Sequence, residues 1–164
     1  MDFTLDIMRD GDWSAVRNPY VEGLATGNAT FETQAPEWHD WDGHHLTSCR
    51  LVARSGDWVG GWAALSPVSR RPAYSGVAEV SIYVASGARG LGAGNALLRE
   101  LVRRSEESGV WTLQASIFPE NTASIAIHKG CGFREFGYLE RISSLHGHWR
   151  DTVIMERRSR VVGA

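Results

Sequence analysis

The stretch SIYVASGARGLGAGNALLRELV, residues 81–102, places an apolar strand pattern before an arginine- and glycine-rich turn that opens directly into an amphipathic helix. That order suits anion binding. The first backbone N–H groups of a helix lack intrahelical partners, converge on one point and carry the positive end of the helix dipole. Gly90, Gly92 and Gly94 would let a pyrophosphate approach the backbone without Cβ clashes, and Arg89 adds a fixed charge. Two standard phosphate signatures do not apply. There is no Gly-Lys-Ser/Thr for a P-loop, and a GxGxxG begun at Gly90 meets Asn95 where its third glycine belongs.

A second set of polar residues lies in PENTASIAIHKGCGF, residues 119–133. Asn121, Ser124 and His128 recur at i, i+3 and i+7, so they line one face of a helix. A polar face turned toward a ligand has this pattern, although Asn121 also reads as an ordinary N-cap. The third candidate is Glu79 in VAEVSIYV, an acid among apolar neighbours, whose ordinary place would be the solvent side of a strand.

Positioning these residues requires a particular run of elements. TLDIMR, at 4–9, alternates like a strand, and Asp10 to Asp12 can cap a helix running toward Glu22. Its stripe would be Trp13, Val16, Tyr20, Val21 and Leu24, with Pro19 expected to kink or split it. Between Leu46 and Leu65, apolar runs around Leu51–Ala53 and Trp58–Trp62 flank Arg54-Ser55-Gly56-Asp57, which has hairpin composition. Val77–Val84 reads as a neighbouring antiparallel strand. The helix after the glycine turn buries Leu97, Leu98, Leu101 and Val102 and ends at Gly109. A strand at Val110–Phe118, a helix from Asn121 to Lys129, and strands near Phe136–Ile142 and Thr152–Glu156 complete the order. Strands first and then β-α-β-α-β predict a mixed α/β sheet, in a single domain spanning residues 1–164.

Composition narrows the partners. With 17 basic and 19 acidic residues among 164 and a formal charge of −2, no broad cationic face exists for nucleic acid. No apolar run is long enough to cross a bilayer, and MDFTLDIMRD is acidic where a signal peptide would be basic, so a soluble, cytoplasmic protein is expected. Cys49 and Cys131 fit neither a disulfide framework nor a CxxC metal site and are expected to be reduced thiols. His39, His44, His45, His146 and His148 lack acidic or thiol partners at ligand spacing, so no metal is expected. The tryptophans read as packing or interface residues.

Arg89-Gly90-Leu91-Gly92-Ala93-Gly94 meets an R/Q-x-x-G-x-G/A pattern, and a helix led by Asn121 and closed by a Gly-Phe turn follows it. On these motifs the chain resembles the GNAT acetyltransferases, over about residues 3–157. The resemblance implies the GNAT fold, a mostly antiparallel twisted sheet with splayed strands and flanking helices, and acetyl-CoA as co-substrate. It implies cofactor contacts from Ile82, Tyr83 and Val84, from Arg89, Gly90, Leu91, Gly92, Ala93 and Gly94, and from Asn121 and Ser124. If residues 82–84 splay from their neighbour as in that superfamily, their backbone N–H groups can polarise the thioester oxygen.

In the superfamily the position of His128 is commonly a tyrosine that protonates the departing thiolate. Histidine there is typical of the phosphinothricin and methionine-sulfoximine N-acetyltransferases, and Glu79 matches the catalytic glutamate of that branch. An amine acceptor arrives as an ammonium ion and must lose a proton before it attacks. Glu79 is therefore expected as the base, directly or through water, with His128 as its partner in proton transfer to a small amino acid or analogue. Transfer would be direct, because neither cysteine stands where a nucleophile belongs.

Asn28-Ala29-Thr30-Phe31-Glu32 and Ser69-Arg70-Arg71-Pro72-Ala73-Tyr74 resemble the branch's substrate elements, so Phe31, Arg71 and Tyr74 are expected to bind substrate, the arginine facing a carboxylate or phosphinate. Gly147-His148-Trp149-Arg150-Asp151 resembles an element that closes the pocket, and a homodimer is implied. Val68 and Leu145 depart from the usual tryptophan and lysine. An acetyltransferase for a protein N-terminus or lysine, and a CoA-binding module without catalysis, are the alternatives.

Overall fold

Seven strands form one sheet in the order β1-β2-β3-β4-β5-β7-β6, seen in a computed structural model that describes residues 1–164. In chain order they are β1 (Thr4–Ile7), β2 (Leu51–Ser55), β3 (Trp58–Pro67), β4 (Val77–Val84), β5 (Thr112–Ile117), β6 (Arg134–Leu145) and β7 (His148–Arg158). Neighbours pair antiparallel except β4 with β5, which run parallel. This is the expected mixed sheet. The helices are α1 (Trp13–Thr26), α2 (Trp38–His44), α3 (Ala93–Glu107) and α4 (Thr122–Gly130).

β3 is buried from Val59 to Leu65 because both of its faces are covered. Trp62 and Ala64 point to the side of α1 and α2, where they meet Trp13, Val16, Tyr20 and Trp41. Ala63 and Leu65 point to the other side, against Leu97, Leu98 and Leu101 of α3. Those three leucines are fully buried, as the apolar stripe requires, and each contributes about 1.5–3 kcal/mol relative to exposure.

Four expectations are revised. α1 runs unbroken through Pro19, since burial of Val16, Pro19, Tyr20 and Gly23 offsets one missing backbone donor. Asp12 does not cap it: its carboxylate accepts from Arg9 N at 2.7 Å and pairs with Arg54 at 2.6 Å. The last two strands are longer than expected and joined by a tight turn at His146-Gly147, both at positive φ. The short helix α2 was not foreseen at all. It is held by Arg50, whose guanidinium binds Asp42 Oδ1 at 2.5 Å and lies 5.1 Å from the Trp41 ring.

The feature that positions the site is a splay between β4 and β5. The two pair only at Val77, Ala78 and Glu79, opposite Thr112, Leu113 and Gln114. Beyond Glu79, β4 stays on β3 as far as Val84, whereas β5 turns to β7. Gly76 marks where the ladder begins: its carbonyl accepts from Trp111 N and Thr112 N, and the Trp111 ring occupies the space of a Cβ. Ala85 N donates to Gly60 O, so alternation turns the N–H groups of Ile82 and Val84 the other way, into the wedge.

Candidate active site

Two cavities meet at this wedge. The larger, of about 620 Å³, is walled by Arg89, Gly90, Gly92 and Ala93–Asn95 on one side and by Asn28, Glu120, Asn121 and Ile127 on the other. The smaller, of about 290 Å³, is lined by Phe31, Phe118, Glu79 and His128. Ala29, Ile82, Tyr83, Asn121 and Ser124 belong to both walls, so the cavities adjoin along β4 and α4.

The larger cavity is built on the start of α3. Ala96 N is the first to donate within the helix, to Gly92 O, which leaves the N–H groups of Ala93, Gly94 and Asn95 for a ligand. Gly90 and Gly92 have φ of 74° and 87°, a region unfavourable for any residue with a Cβ. Gly94, in the wall of the cleft, serves a second purpose. A Cβ there would come within 3.1 Å of Ile127 and 3.3 Å of Val84, so it allows α3 to pack closely on α4 and β4. Arg89 is exposed, with Nε 3.4 Å from Val84 O, and the Leu91 side chain is exposed and outside the wall. Gly92→Ala is expected to destabilise the fold by about 1–2 kcal/mol, measured as a lower urea midpoint, and to weaken CoA binding in calorimetry.

Asn121 caps α4, accepting from Ser124 N at 3.2 Å, while its Nδ2 donates to Asn28 O at 3.3 Å. Its amide thus joins the loop after α1 to the helix. Ser124 offers its carbonyl to His128 Nδ1 at 2.8 Å. A carbonyl only accepts, so Nδ1 carries the proton and Nε2 is left with its lone pair. His128 is 2% exposed and Nε2 has no partner in the protein. Burial holds the imidazole below its ordinary value of 6.5, which keeps it neutral and a proton acceptor.

Glu79 is exposed on β4, yet its surroundings desolvate the carboxyl enough to raise it above the ordinary range. A raised carboxylate is a better base. The ring of Tyr83 is turned away from the wedge into a stack, 4.7 Å from Tyr20 and 4.9 Å from Trp62, over the space that Gly23 leaves on α1. Phe31 meets Phe118 edge-on at 4.8 Å. Arg71 and Tyr74 are exposed in the β3–β4 connection, stacked on each other at 5.5 Å, and line neither cavity. The structure brings Glu79, His128 and Phe31 together and leaves those two outside.

Sequence reasoning missed Ser81, Ser116, Phe118 and Thr152, which also line the smaller cavity. Phe118, directly after β5, and Thr152, on β7, carry no motif of their own, and only the fold brings them into one cavity wall with Glu79. Within the 147–151 stretch, Arg150 is the inward residue: it donates to Gly27 O, Asn28 Oδ1 and Glu120 Oε2 and stacks on Phe118 at 4.1 Å. Asp151 braces the irregular part of β6, accepting from Tyr138 Oη and Arg141 N, and Trp149 is exposed.

The neutrality of His128 has a pH signature. Between its lowered folded value and 6.5 the unfolded chain binds the extra proton, so its contribution is present above 6.5 and is lost as pH falls below it. Thermal unfolding of His128→Asn is expected to show a shallower loss over that acidic window than the parent.

The profile of the acetyltransferase (GNAT) family matches residues 13–133. A phosphinothricin N-acetyltransferase of Alcaligenes faecalis is 34% identical over 165 residues, covering 94% of this chain and 81% of the relative. An L-methionine sulfoximine/L-methionine sulfone acetyltransferase of Pseudomonas aeruginosa is 29% identical, covering 89% of this chain and 80% of the relative. A Sinorhizobium meliloti phosphinothricin acetyltransferase of the GNAT superfamily, solved with acetyl-CoA, superposes with a TM-score of 0.84 at 32% identity over 96% of this chain and 89% of that one.

Proposed function

The chain belongs to the acetyltransferase (GNAT) family and is an acetyl-CoA-dependent N-acetyltransferase, and we propose that its acceptor is the amino group of a small amino acid or analogue of the phosphinothricin or methionine sulfoximine/sulfone kind. The observation that carries the proposal is that Glu79 and the neutral, buried His128 line one cavity, which adjoins the glycine-turn cleft. Acetyl-CoA supplies the activated acyl group. The residues present fit it: free N–H groups at the start of α3, glycines at positive φ and Arg89 suit the pyrophosphate, and Asn121 and Ser124 border the way to the smaller cavity.

Glu79 removes the proton that the ammonium ion must lose, the amine attacks the thioester carbonyl, and as the C–S bond breaks the released proton passes by way of His128 to the departing CoA thiolate. Ile82 and Val84 offer backbone N–H groups in the wedge to charge developing on the acyl oxygen, where no reorganisation is needed. Phe31 and Phe118 exclude water from the reacting amine. A cavity of about 290 Å³ suits a small acceptor better than the shallow groove that a protein N-terminus would need. The proposal includes a cytoplasmic homodimer, supported by the outward apolar side chains of Phe136, Tyr138 and Ile142 on the edge strand β6.

The deciding experiment incubates the protein with acetyl-CoA and a panel of amino acids and analogues and follows CoA release. Turnover of phosphinothricin, methionine sulfoximine or methionine sulfone is the expected result. Failure of all of them alongside acetylation of a peptide N-terminus would transfer the assignment to the protein-directed alternative.

A further inference from the structure

The two halves of the sheet that part at the wedge are rejoined by a side chain that lines neither cavity. Arg150 stands on β7, in the β5-β7-β6 half, opposite Ser143 of β6. Its guanidinium reaches the loop after α1, and α1 belongs to the other half, packed on β3 and β4 through Tyr20. Nη1 donates to Gly27 O at 2.7 Å and Nη2 to Asn28 Oδ1 at 2.8 Å. Nη2 also donates to Glu120 Oε2 at 3.2 Å, and the group lies 4.1 Å from the Phe118 ring. Gly27 is the left-handed cap of α1, so a cation on its carbonyl also meets the negative end of the helix dipole. The Arg150 side chain is only 17% exposed, and every group it holds is on a different part of the site from the strand that carries it.

The loop from Gly27 to Glu32 is neither helix nor strand, and it is shared: Asn28 and Ala29 wall the larger cavity, and Ala29, Phe31 and Glu32 wall the smaller. Asn121 Nδ2 holds it at Asn28 O, at 3.3 Å, and Phe31 rests edge-on against Phe118. Arg150 adds the shorter, charge-assisted bonds. We propose that Arg150 is a positioning residue, which pins this loop across the wedge so that acetyl-CoA and the acceptor meet walls already at their working separation; the smaller cavity is taken, with the proposed function, as the acceptor's. The planar fork suits three acceptors on two segments and a ring beneath, which a single ammonium group cannot match. Without the pin, binding must itself put the loop in place, and affinity falls by the fraction of molecules in which the loop is already there. Glu79 and His128 are held by β4 and α4, so their geometry once both substrates are bound is unchanged.

The test compares Arg150→Met, which keeps an apolar chain beside Phe118 but has no donors, with Arg150→Lys, which keeps the charge and loses the fork. In Arg150→Met, KM for the acceptor is expected to rise about tenfold and Kd for acetyl-CoA in calorimetry about threefold, with kcat within about threefold of the parent. The amides of Asn28 and Glu32, which donate to the Thr26 and Thr30 hydroxyls, should exchange with solvent about tenfold faster, while those of Leu97 to Val102 in α3 keep parental rates. Arg150→Lys is expected to keep most of the rise in KM. A merely structural tie would lower the active fraction, so that kcat falls and KM stays parental. That result, parental exchange in the loop, or a parental KM in Arg150→Lys overturns the proposal. If the parent turns over no amine of the panel, the acceptor assignment falls by itself, and acetyl-CoA affinity and loop exchange still decide the role of Arg150.

Discussion

Glu79→Gln is expected to lower kcat by about 100- to 10,000-fold while CoA affinity in calorimetry stays unchanged. The amide keeps the shape of the side chain and removes its basicity, and Glu79 lines the smaller cavity without touching the glycine turn. In the parent, kcat/KM should fall on the acidic side as Glu79 takes up its proton, at a pH above the ordinary carboxylate range because its surroundings raise that value. The variant should lose this limb. A variant with parental activity across pH would remove Glu79 as the base. The same raised value carries a stability cost. Its contribution is fully present below 4.5 and is lost as pH rises through the folded value, so Glu79→Gln should unfold at a temperature equal to or above that of the parent at neutral pH.

The largest expected effect on stability is Trp62→Ala, a loss of about 3–5 kcal/mol. Trp62 is fully buried at the centre of the second core, against Tyr20, Tyr83 and Trp41 at 5.8, 4.9 and 5.5 Å. Its indole nitrogen has no hydrogen-bond partner, so the loss is one of packing and cavity formation alone. Urea denaturation should show a lower midpoint at an unchanged slope. A change below about 1 kcal/mol would mean that the aromatic stack collapses to fill the space, contrary to the close packing of interiors. Because Trp62 supports Tyr83 from behind, the variant also tests whether the aromatic stack keeps β4 fixed at the wedge.

Much of this molecule was legible in the chain. The glycine turn announced itself because backbone freedom, a helix start and an arginine coincide within six residues, Arg89 to Gly94. Leu97, Leu98 and Leu101 were readable because one helix face repeats with the helical period. Where local rules compete with tertiary packing, the reading failed. Pro19 signals a break that the burial of Val16 and Tyr20 overrides, and Asp12 signals a cap but is drawn off by Arg54, 42 positions away. Gly147 marks the last turn, but His146 beside it takes a left-handed conformation that its residue type does not announce, so both strands were read too short.

Within the site, the members that share a local motif were visible and those that meet only through the sheet were not. Thr152 and Phe118 carry no signature of their own. They reach Glu79 because β7 lies next to β5 and β5 diverges from β4, a fact of strand order. Arg71 and Tyr74 show the converse, since a matching stretch placed them in the site and the fold puts them on an outer loop. Gly94 was noticed for its small size at the cleft, and its packing on Ile127 and Val84 came only with the fold.

The short ladder between β4 and β5 also governs how the molecule moves. Three residue pairs join β1–β4 to the β5-β7-β6 half, so those pairs are the sheet's natural hinge line. Bending about Gly76 would widen or narrow the wedge while hardly disturbing either half, and the amides of Ile82 and Val84 should exchange with solvent far faster than those of Tyr83 and Ala85 on the same strand. Anything that bridges the wedge stiffens this hinge, so occupancy of the cleft and rigidity of the whole sheet are thermodynamically one quantity.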